Sequence, residues 1–248
     1  MRSQMRVAGC IALLSASTAH VAPVLAAEQA SQSMAFYAIA TALDGTFVVG
    51  DVTADLNLSA SEVFDHLDWA AMGGYRYQTE SWSTQVDVIY ASLTGEKTGS
   101  GGVARTKVDL NQTMIEIDGG YRFNENLELL VGLRYWDFEN EIQLFLSNAT
   151  RQATSDENWI DPLIGARLTL PIGSNWEFVA RGDIGGFGIG SDFAWQATAY
   201  FNWKVGETFG VLFGYRIFDV DFEEGSGSNR SGIDLQQSGP AIGVAISF

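Results

Sequence analysis

The chain has 248 residues, a formal net charge of −16 at pH 7, and 27 glycines against 4 prolines. Such acidity argues against nucleic acid as a partner, because nucleic-acid-binding proteins neutralise phosphates with basic surfaces. Hydrophobic residues make up 46% of the chain and aromatic residues 12%, which excludes a disordered protein. Few prolines and many glycines suit a β-protein whose strands approach one another closely.

Residues 1–27 have the pattern of an export signal peptide. Two arginines, Arg2 and Arg6, precede a short apolar stretch that ends in small residues. This stretch is too short to cross a bilayer as a helix. We therefore expect residues 28–248 to form one mature domain. The only cysteine, Cys10, would leave with the signal, so the mature protein would have no disulfide.

Apolar and polar residues alternate with period two along the rest of the chain, which predicts antiparallel strands. In chain order the expected strands are about 34–43, 68–78, 81–93, 105–122, 127–146, 157–171, 175–187, 191–204, 208–222 and 231–248. This pattern predicts an all-β, antiparallel transmembrane β-barrel of about 10 strands, with 8–12 possible. An even number of strands would put both chain ends in the periplasm.

Three segments modify this pattern. A hairpin within 46–58 would raise the strand number to twelve. Residues 59–67 predict a short helix with Ser59 or Ser61 as N-cap, and with Val63, Phe64 and Leu67 on one side. The alternation changes phase near Gln112, which predicts a β-bulge there.

The connections fall into two classes. Short turns are expected at 79–80, 124–126, 173–175 and 206–207, whereas longer polar loops are expected at 95–104, 148–158 and 223–231. Short periplasmic turns and long extracellular loops are typical of transmembrane barrels. Aromatic residues flank the short turns, as in an interfacial girdle; they are Tyr77, Trp82, Tyr121, Phe123, Trp176, Trp203 and Phe209.

The last strand also indicates the outer membrane. Gly243 is followed by alternating hydrophobic residues, including Ile246, and the chain ends on Phe248. This ending resembles the terminal assembly signal of outer-membrane barrels. It implies the barrel-assembly machinery as a partner and the cell outer membrane, reached through the periplasm, as the location.

The polar face of the predicted strands carries full charges. They are Arg76, Asp87, Glu116, Asp118, Arg122, Arg134, Asp161, Arg167, Arg181, Asp183 and Arg216. Five of the arginines follow a glycine by two positions, so each glycine and its arginine share a face. On the expected register that face is the lumen, and the glycine leaves room for a long side chain of a neighbouring strand.

Two hypotheses account for these charges. A barrel of this size is narrow, and small barrels fill with side chains. We therefore expect a lumenal network of arginine–carboxylate pairs. The alternative is a row of arginines that guides anions through a pore.

A glycine-rich block at 182–192 is the most distinctive stretch. It lacks the lysine and the following helix of a phosphate loop, and it lacks the helix of a dinucleotide fingerprint. We expect a tight hairpin whose glycines adopt positive φ. A calcium site between Asp183 and Asp192 is the less favoured alternative, so no metal site is predicted.

Several motifs resemble an uncharacterised family of proteobacterial outer-membrane β-barrel proteins. The motif residues are Trp159, Asp161, Pro162, Gly165 and Arg167, the block 182–192, Gly214-Tyr215-Arg216, Gly239, Pro240, Gly243 and Phe248. The resemblance is strong over 157–248 and weaker over 35–135. It implies an outer-membrane barrel and no known activity, so it assigns no functional residue.

The expected function is that of a structural or interaction barrel with a charged, largely side-chain-filled lumen. Its partners would be outer-membrane lipid and lipopolysaccharide, whose phosphates could share divalent cations with outer acids such as Asp219 and Asp221. A narrow channel or small-ligand transporter is the alternative. An enzyme is less expected, because His66 is the only histidine after the signal. We predict no catalytic residue and no cofactor, and the sequence leaves the oligomeric state open.

Overall fold

A computed structural model describes residues 30–50, 52–98, 104–146, 149–227 and 230–248; the expected signal peptide lies outside them. They form twelve strands and one helix. In chain order these are β1 (Ser31–Ile39), β2 (Ala42–Val49), β3 (Val52–Leu58), α1 (Ala60–His66), β4 (Leu67–Gln78), β5 (Trp82–Thr98), β6 (Ala104–Arg122), β7 (Leu127–Leu146), β8 (Ala149–Ile172), β9 (Trp176–Gly185), β10 (Phe193–Val205), β11 (Phe209–Glu224) and β12 (Ser231–Ser247). Among the described residues, no helix has the length and apolarity to span a bilayer.

Ten of the strands close into an antiparallel barrel. Each pairs with its neighbour in the order β1, β4, β5 and so on to β12, and β12 pairs back with β1. The closing pair runs from Ser33 opposite Ser247 to Ile39 opposite Ala241. The predicted ten-stranded barrel is therefore confirmed. One end of the barrel carries the short turns and the first residue of β1. We call it the periplasmic end.

The expected extra hairpin is present, but it does not widen the ring. Strand β2 continues the line of β1 and pairs with the outer half of β12, from Ala42 opposite Ser238 to Val49 opposite Ser231. Strand β3 then pairs with β2. The hairpin therefore raises one side of the barrel wall above the transmembrane part.

Helix α1 connects β3 to β4. Ser59 is its N-cap, and the side chain of Glu62 returns to the Ser59 backbone to complete a capping box. Val63 is buried, whereas Phe64 is 76% exposed. The two differ because consecutive residues of a helix point about 100° apart.

The outward face of the barrel forms an apolar belt. Trp82 to Tyr90 on β5 and Trp176 to Ile184 on β9 mark its height. Eight residues rise about 27 Å along a strand, or roughly 20 Å at a tilt of about 40°. Aromatic pairs lie at both edges: Tyr77 with Trp82 and Trp176 with Trp203 at the periplasmic edge, and Trp69 with Tyr90 at the outer edge. This geometry matches the hydrocarbon band of an outer membrane.

The expected extracellular loop at 148–158 is wrong, because β8 starts at Ala149. Of the expected loop at 95–104, the described residues 95–98 and 104 belong to the long strands β5 and β6. The β7–β8 pairing continues without a break to Leu146 opposite Ala149. Above the belt both faces of a strand can be polar, so the apolar alternation disappears while the hydrogen bonding continues.

The bulge expected near Gln112 is also wrong. Strand β6 pairs with β5 and with β7 in one continuous register. The hydrophobic alternation changes phase because the lumen-facing residues of β6 are charged in one half of the strand and apolar in the other. It carries Glu116 and Asp118 toward the periplasm and Met114 and Leu110 toward the outside.

An aromatic core fills the outer half of the barrel interior. Trp159 of β8 stacks on Phe222 of β11 with ring centroids 4.0 Å apart, and Trp136 of β7 meets Phe218 of β11 at 4.7 Å. These contacts reach through the lumen between strands that are not neighbours in the wall. The rest of this cluster includes Phe138, Val220, Ile233, Leu235, Leu43 and Val63.

Candidate functional site

A layer of buried charges lies next to the aromatic core on its periplasmic side. It contains five arginines and five carboxylates, all turned into the lumen. The members are Arg76, Arg134, Arg167, Arg181, Arg216, Asp87, Glu116, Asp118, Glu128 and Asp183. Because the two signs are equal in number, the layer is neutral without a bound ion.

Arg134 forms the centre of this layer. Its side chain is 0% exposed, its Nε donates to Oε2 of Glu116 at 2.8 Å, and its Nη2 donates to Oδ1 of Asp183 at 2.7 Å. Arg181 donates to Oδ2 of Asp118 at 2.9 Å and to Oδ2 of Asp183 at 3.2 Å. Strands β6, β7 and β9 are thereby linked through their side chains as well as through the wall.

A second group reaches across the lumen. Nη1 of Arg216, on β11, lies 3.2 Å from Oδ2 of Asp87, on β5. The Tyr37 hydroxyl donates to the same carboxylate at 2.8 Å. Gln196 joins the two groups, because its amide nitrogen donates to Asp183 at 2.6 Å and its oxygen accepts from Arg216 at 2.7 Å.

The periplasmic side of the layer has two arginines on one carboxylate. Nη2 of Arg76 lies 2.7 Å from Oε2 of Glu128, and Nη1 of Arg167 lies 3.7 Å from the same oxygen. Ser83 also donates to Glu128. Arg76 and Arg167 border a cavity of about 710 Å³ in the periplasmic half of the lumen, which extends to Lys204 near the short β10–β11 turn.

Glycines of the Gly-x-Arg motif give these side chains their space. Gly165 lies opposite Asp183, and Gly132 lies opposite Asp118, across neighbouring strands. A Cβ at Gly165 would stand 2.5 Å from the Asp183 Cβ, and one at Gly132 would stand 2.8 Å from the Asp118 Cβ. Any side chain at these glycines would displace a member of the charge layer.

Two of the eleven predicted lumenal charges do not join the layer. Arg122 donates to the backbone carbonyls of Thr79 and Glu80, at 2.8 and 3.3 Å, because it ends β6 beside a periplasmic turn. Asp161 lies opposite Arg134 in register, yet its described bonds are to Ser191 and Trp159. Among the described contacts, Asp161 therefore binds residues at the glycine-rich loop and on its own strand rather than an arginine.

Asp161 fixes the glycine-rich loop instead. Its two oxygens accept from the backbone nitrogen and the hydroxyl of Ser191, both at 2.7 Å. Gly186, Phe187 and Gly188 have φ of 83°, 54° and 70°, so the loop is the expected tight hairpin. Phe187 is the unusual member, because a side chain disfavours this region.

The geometry does not favour a calcium site between Asp183 and Asp192. Asp183 is bound by Arg134 and Arg181 inside the lumen, whereas Asp192 lies exposed on the loop. A different acidic group, Asp137, Glu139 and Asp156, brings carboxylate oxygens within 4.8 Å of one another on β7 and β8.

Gln196 and Tyr37 bind charges of the layer but were not predicted from the sequence to do so. Glu128 also binds the layer; it alternates onto the predicted polar face, although it is not among the eleven residues. Gln196 lies two residues after Ala194 on β10 and so shares its face. The alternation would therefore have predicted that Gln196 faces the lumen. Tyr37 has apolar neighbours on both sides, so its direction had no signal in the pattern.

Comparison with solved structures supports the architecture. The outer-membrane protease OmpT from Escherichia coli aligns with a TM-score of 0.51 and 10% identity, over 90% of this chain and 98% of that one. The chain has an outer-membrane barrel fold. The translocator domain of the autotransporter NalP from Neisseria meningitidis aligns at 0.41 and 15% identity, over 87% and 88%. No protein-family model and no curated protein sequence matches the chain.

This fold, the apolar belt and the two aromatic edges together identify an outer-membrane β-barrel protein. The likeness to OmpT concerns the fold alone. His66 is the last residue of α1 and is partly exposed.

Proposed function

We propose that this protein is a sealed outer-membrane barrel of structural or interaction type, which acts through its outer surface. The observation that carries the proposal is the neutral charge layer around Arg134, directly below the aromatic core. Side chains of strands that are not neighbours in the wall meet in both layers. A solute would have to separate buried ion pairs and then pass through stacked aromatic rings.

The energetics support a sealing role. A buried ion pair need not stabilise the fold, but loss of one partner leaves an unpaired charge and costs about 3–5 kcal/mol. Each carboxylate oxygen of Asp183 is bound by a different arginine. Thermal motion that opens the layer would break several such contacts at once.

A narrow channel or small-ligand transporter is the second candidate. The cavity of about 710 Å³ favours it, because it gives the periplasmic half of the lumen room for a small solute. Glu116 and Arg181 lie at the boundary of this cavity. Transport would therefore require the charge layer to rearrange.

Conductance in planar bilayers separates the two candidates. We expect the wild-type barrel to be silent and Arg134→Ala to show leak currents, because Glu116 and Asp183 would lose their shared partner. Arg122→Ala is the matched control, since Arg122 binds turn carbonyls outside the layer. If the wild-type barrel conducts steadily and Arg167→Ala alters its ion selectivity, the channel proposal replaces the sealed-barrel proposal.

Lipopolysaccharide is a proposed partner of the outer rim. Asp219 and Asp221 on β11 lie above the apolar belt, and Asp234 of β12 lies directly opposite Asp221. Such carboxylates could share divalent cations with lipid phosphates.

The barrel-assembly machinery is a proposed partner of the last strand, where Gly243, Ile246 and Phe248 stand at the seam with β1.

The remaining assignments are also proposals. We assign no catalytic role, because His66 ends a short helix and Asp161 and Asp183 are occupied by structural contacts. The block 182–192 supports a closer relationship to the uncharacterised proteobacterial family that it resembles.

A further inference from the structure

Strand β8 is much longer than its neighbour β9. The two strands pair only from Leu163 opposite Gly185 to Ile172 opposite Trp176. Above Leu163, β8 continues to Ala149 with β7 on one side. Among the described residues, no strand pairs with the other edge of this outer part.

The direction of the backbone groups on this edge follows from one hydrogen bond. The nitrogen of Gly186 donates to the carbonyl of Pro162 at 3.1 Å, so that carbonyl points toward β9. In an antiparallel strand a residue's N–H and C=O point the same way, and alternate residues point to opposite sides. Thr154, Asp156 and Asn158 therefore turn both groups to the open edge.

The glycine-rich loop ends the open edge at its lower side. A Cβ at Gly190 would lie 2.6 Å from the carbonyl oxygen of Ile160, so the loop covers that residue. The edge above it is held in place from inside, because Trp159 stacks on Phe222. The six residues of this open edge, 154–159, include neither proline nor lysine, which natural proteins commonly use to block an edge.

Carboxylates border the edge on both sides. Asp156 belongs to the group with Asp137 and Glu139. Across the opening, the loop carries Asp192 and β11 carries Asp221. Asp221 lies opposite Asp234 of β12 and opposite Phe193, the residue that follows Asp192. Burial and the charges of Asp234 and then Asp192 raise the pKa of Asp221.

We propose that the free edge of β8 binds an extended cationic peptide by β-strand addition. The peptide backbone would bond to Thr154, Asp156 and Asn158, in the manner of a further strand. Lysine or arginine at alternate positions of the peptide would meet the outward carboxylates, because side chains alternate along a strand. This inference rests on the proposed interaction function and names its partner class.

Fluorescence anisotropy on the full barrel in nanodiscs tests the inference. The probe is a labelled eight-residue peptide that alternates lysine with threonine. A second peptide of the same sequence carries N-methyl groups on alternate residues, so it keeps the charges and loses the backbone donors. We expect the methylated peptide to bind at least about tenfold more weakly, because several hydrogen bonds are lost.

Variants of one edge residue provide the matched comparison. Asn158→Pro removes a free edge N–H without touching the β7 pairing, whereas Asn158→Ala keeps that N–H. We expect Asn158→Pro to weaken binding about as much as methylation, and Asn158→Ala to retain it. Asp156→Asn should weaken binding and reduce its salt dependence.

Two results would overturn the inference. Equal binding of both peptides would mean plain charge attraction to the acidic rim, which divalent cations, alone or bridging to lipopolysaccharide phosphates, also satisfy. Absence of binding to a folded wild-type barrel would exclude the peptide altogether. Conductance of the same sample is read separately: a conducting barrel that binds the peptide removes the sealed-lumen proposal and leaves the edge site standing.

Discussion

Gly165 of β8 lies directly opposite Asp183 of β9, and a Cβ at position 165 would stand 2.5 Å from the Asp183 Cβ. Asp183 in turn binds Arg134 and Arg181. The absence of a side chain at Gly165 thus leaves room for a carboxylate that binds two arginines and Gln196.

Gly165→Ala should lower the free energy of unfolding by about 1–3 kcal/mol, because an overpacked interior must shift backbone or side chains. The measurement is guanidinium unfolding in phospholipid vesicles, followed by tryptophan fluorescence. Gly182→Ala on the neighbouring strand is the control, since its added Cβ would meet only the carbonyl of Gln196, at 3.7 Å. Equal effects of the two substitutions would contradict a special role for Gly165.

The alternation of the sequence located the lumenal charges but not their partners. Arg134 and Glu116 were placed inside correctly by parity alone. Asp161 was also placed inside, but its bonds to Ser191 depend on a loop thirty residues away, which period two does not describe. Trp136 and Phe138 lie in a stretch that is aromatic at neighbouring positions too, so the aromatic core had no distinct pattern.

Arg134→Met should be among the most destabilising single changes in the barrel. It leaves Glu116 and Asp183 buried with less compensation, and we expect a loss of about 3–5 kcal/mol in the free energy of unfolding. The double variant Arg134→Met with Glu116→Gln should recover part of that loss, because one of the uncompensated charges is gone.

Lys204→Met is the control for the arginine experiment. Its pair with Glu177 is 3.1 Å long, but the lysine side chain is 47% exposed. Exposed pairs contribute about 0–1 kcal/mol. If Arg134→Met and Lys204→Met shift the unfolding midpoint equally, burial of the charge layer is not the deciding factor.

The contact between Asp161 and Ser191 should couple the glycine-rich loop to β8. Asp161→Ala and Ser191→Ala each remove hydrogen bonds from a buried group, at a cost of about 1–3 kcal/mol. The double variant should cost clearly less than the two single changes together, since each single change already breaks the bond from the Ser191 hydroxyl to the Asp161 carboxylate. Exposed Asp192→Ala should change stability by less than about 0.5 kcal/mol; strict additivity of the buried pair would refute the coupling.

Asp221 should make the outer rim more stable in acid. Burial, followed by the charges of Asp234 and Asp192, raises its pKa in the folded protein. The folded protein therefore binds this proton more tightly than the unfolded chain does. The resulting stability is fully present below about pH 4, the pKa of an unfolded aspartate, and is lost as the pH rises through the folded pKa.

Asp221→Asn should accordingly raise the melting temperature at pH 7 and leave it unchanged near pH 3.5, where the wild-type carboxyl is already neutral. Glu223→Gln gives the opposite control. Hydrogen bonds from Arg230 lower the pKa of Glu223, so its charged form favours the folded state, and that contribution is lost as the pH falls. Melting curves of both variants at the two pH values test this prediction. If the melting temperature of both variants rises at pH 7, general charge reduction, rather than the surroundings of Asp221, controls the stability of the rim.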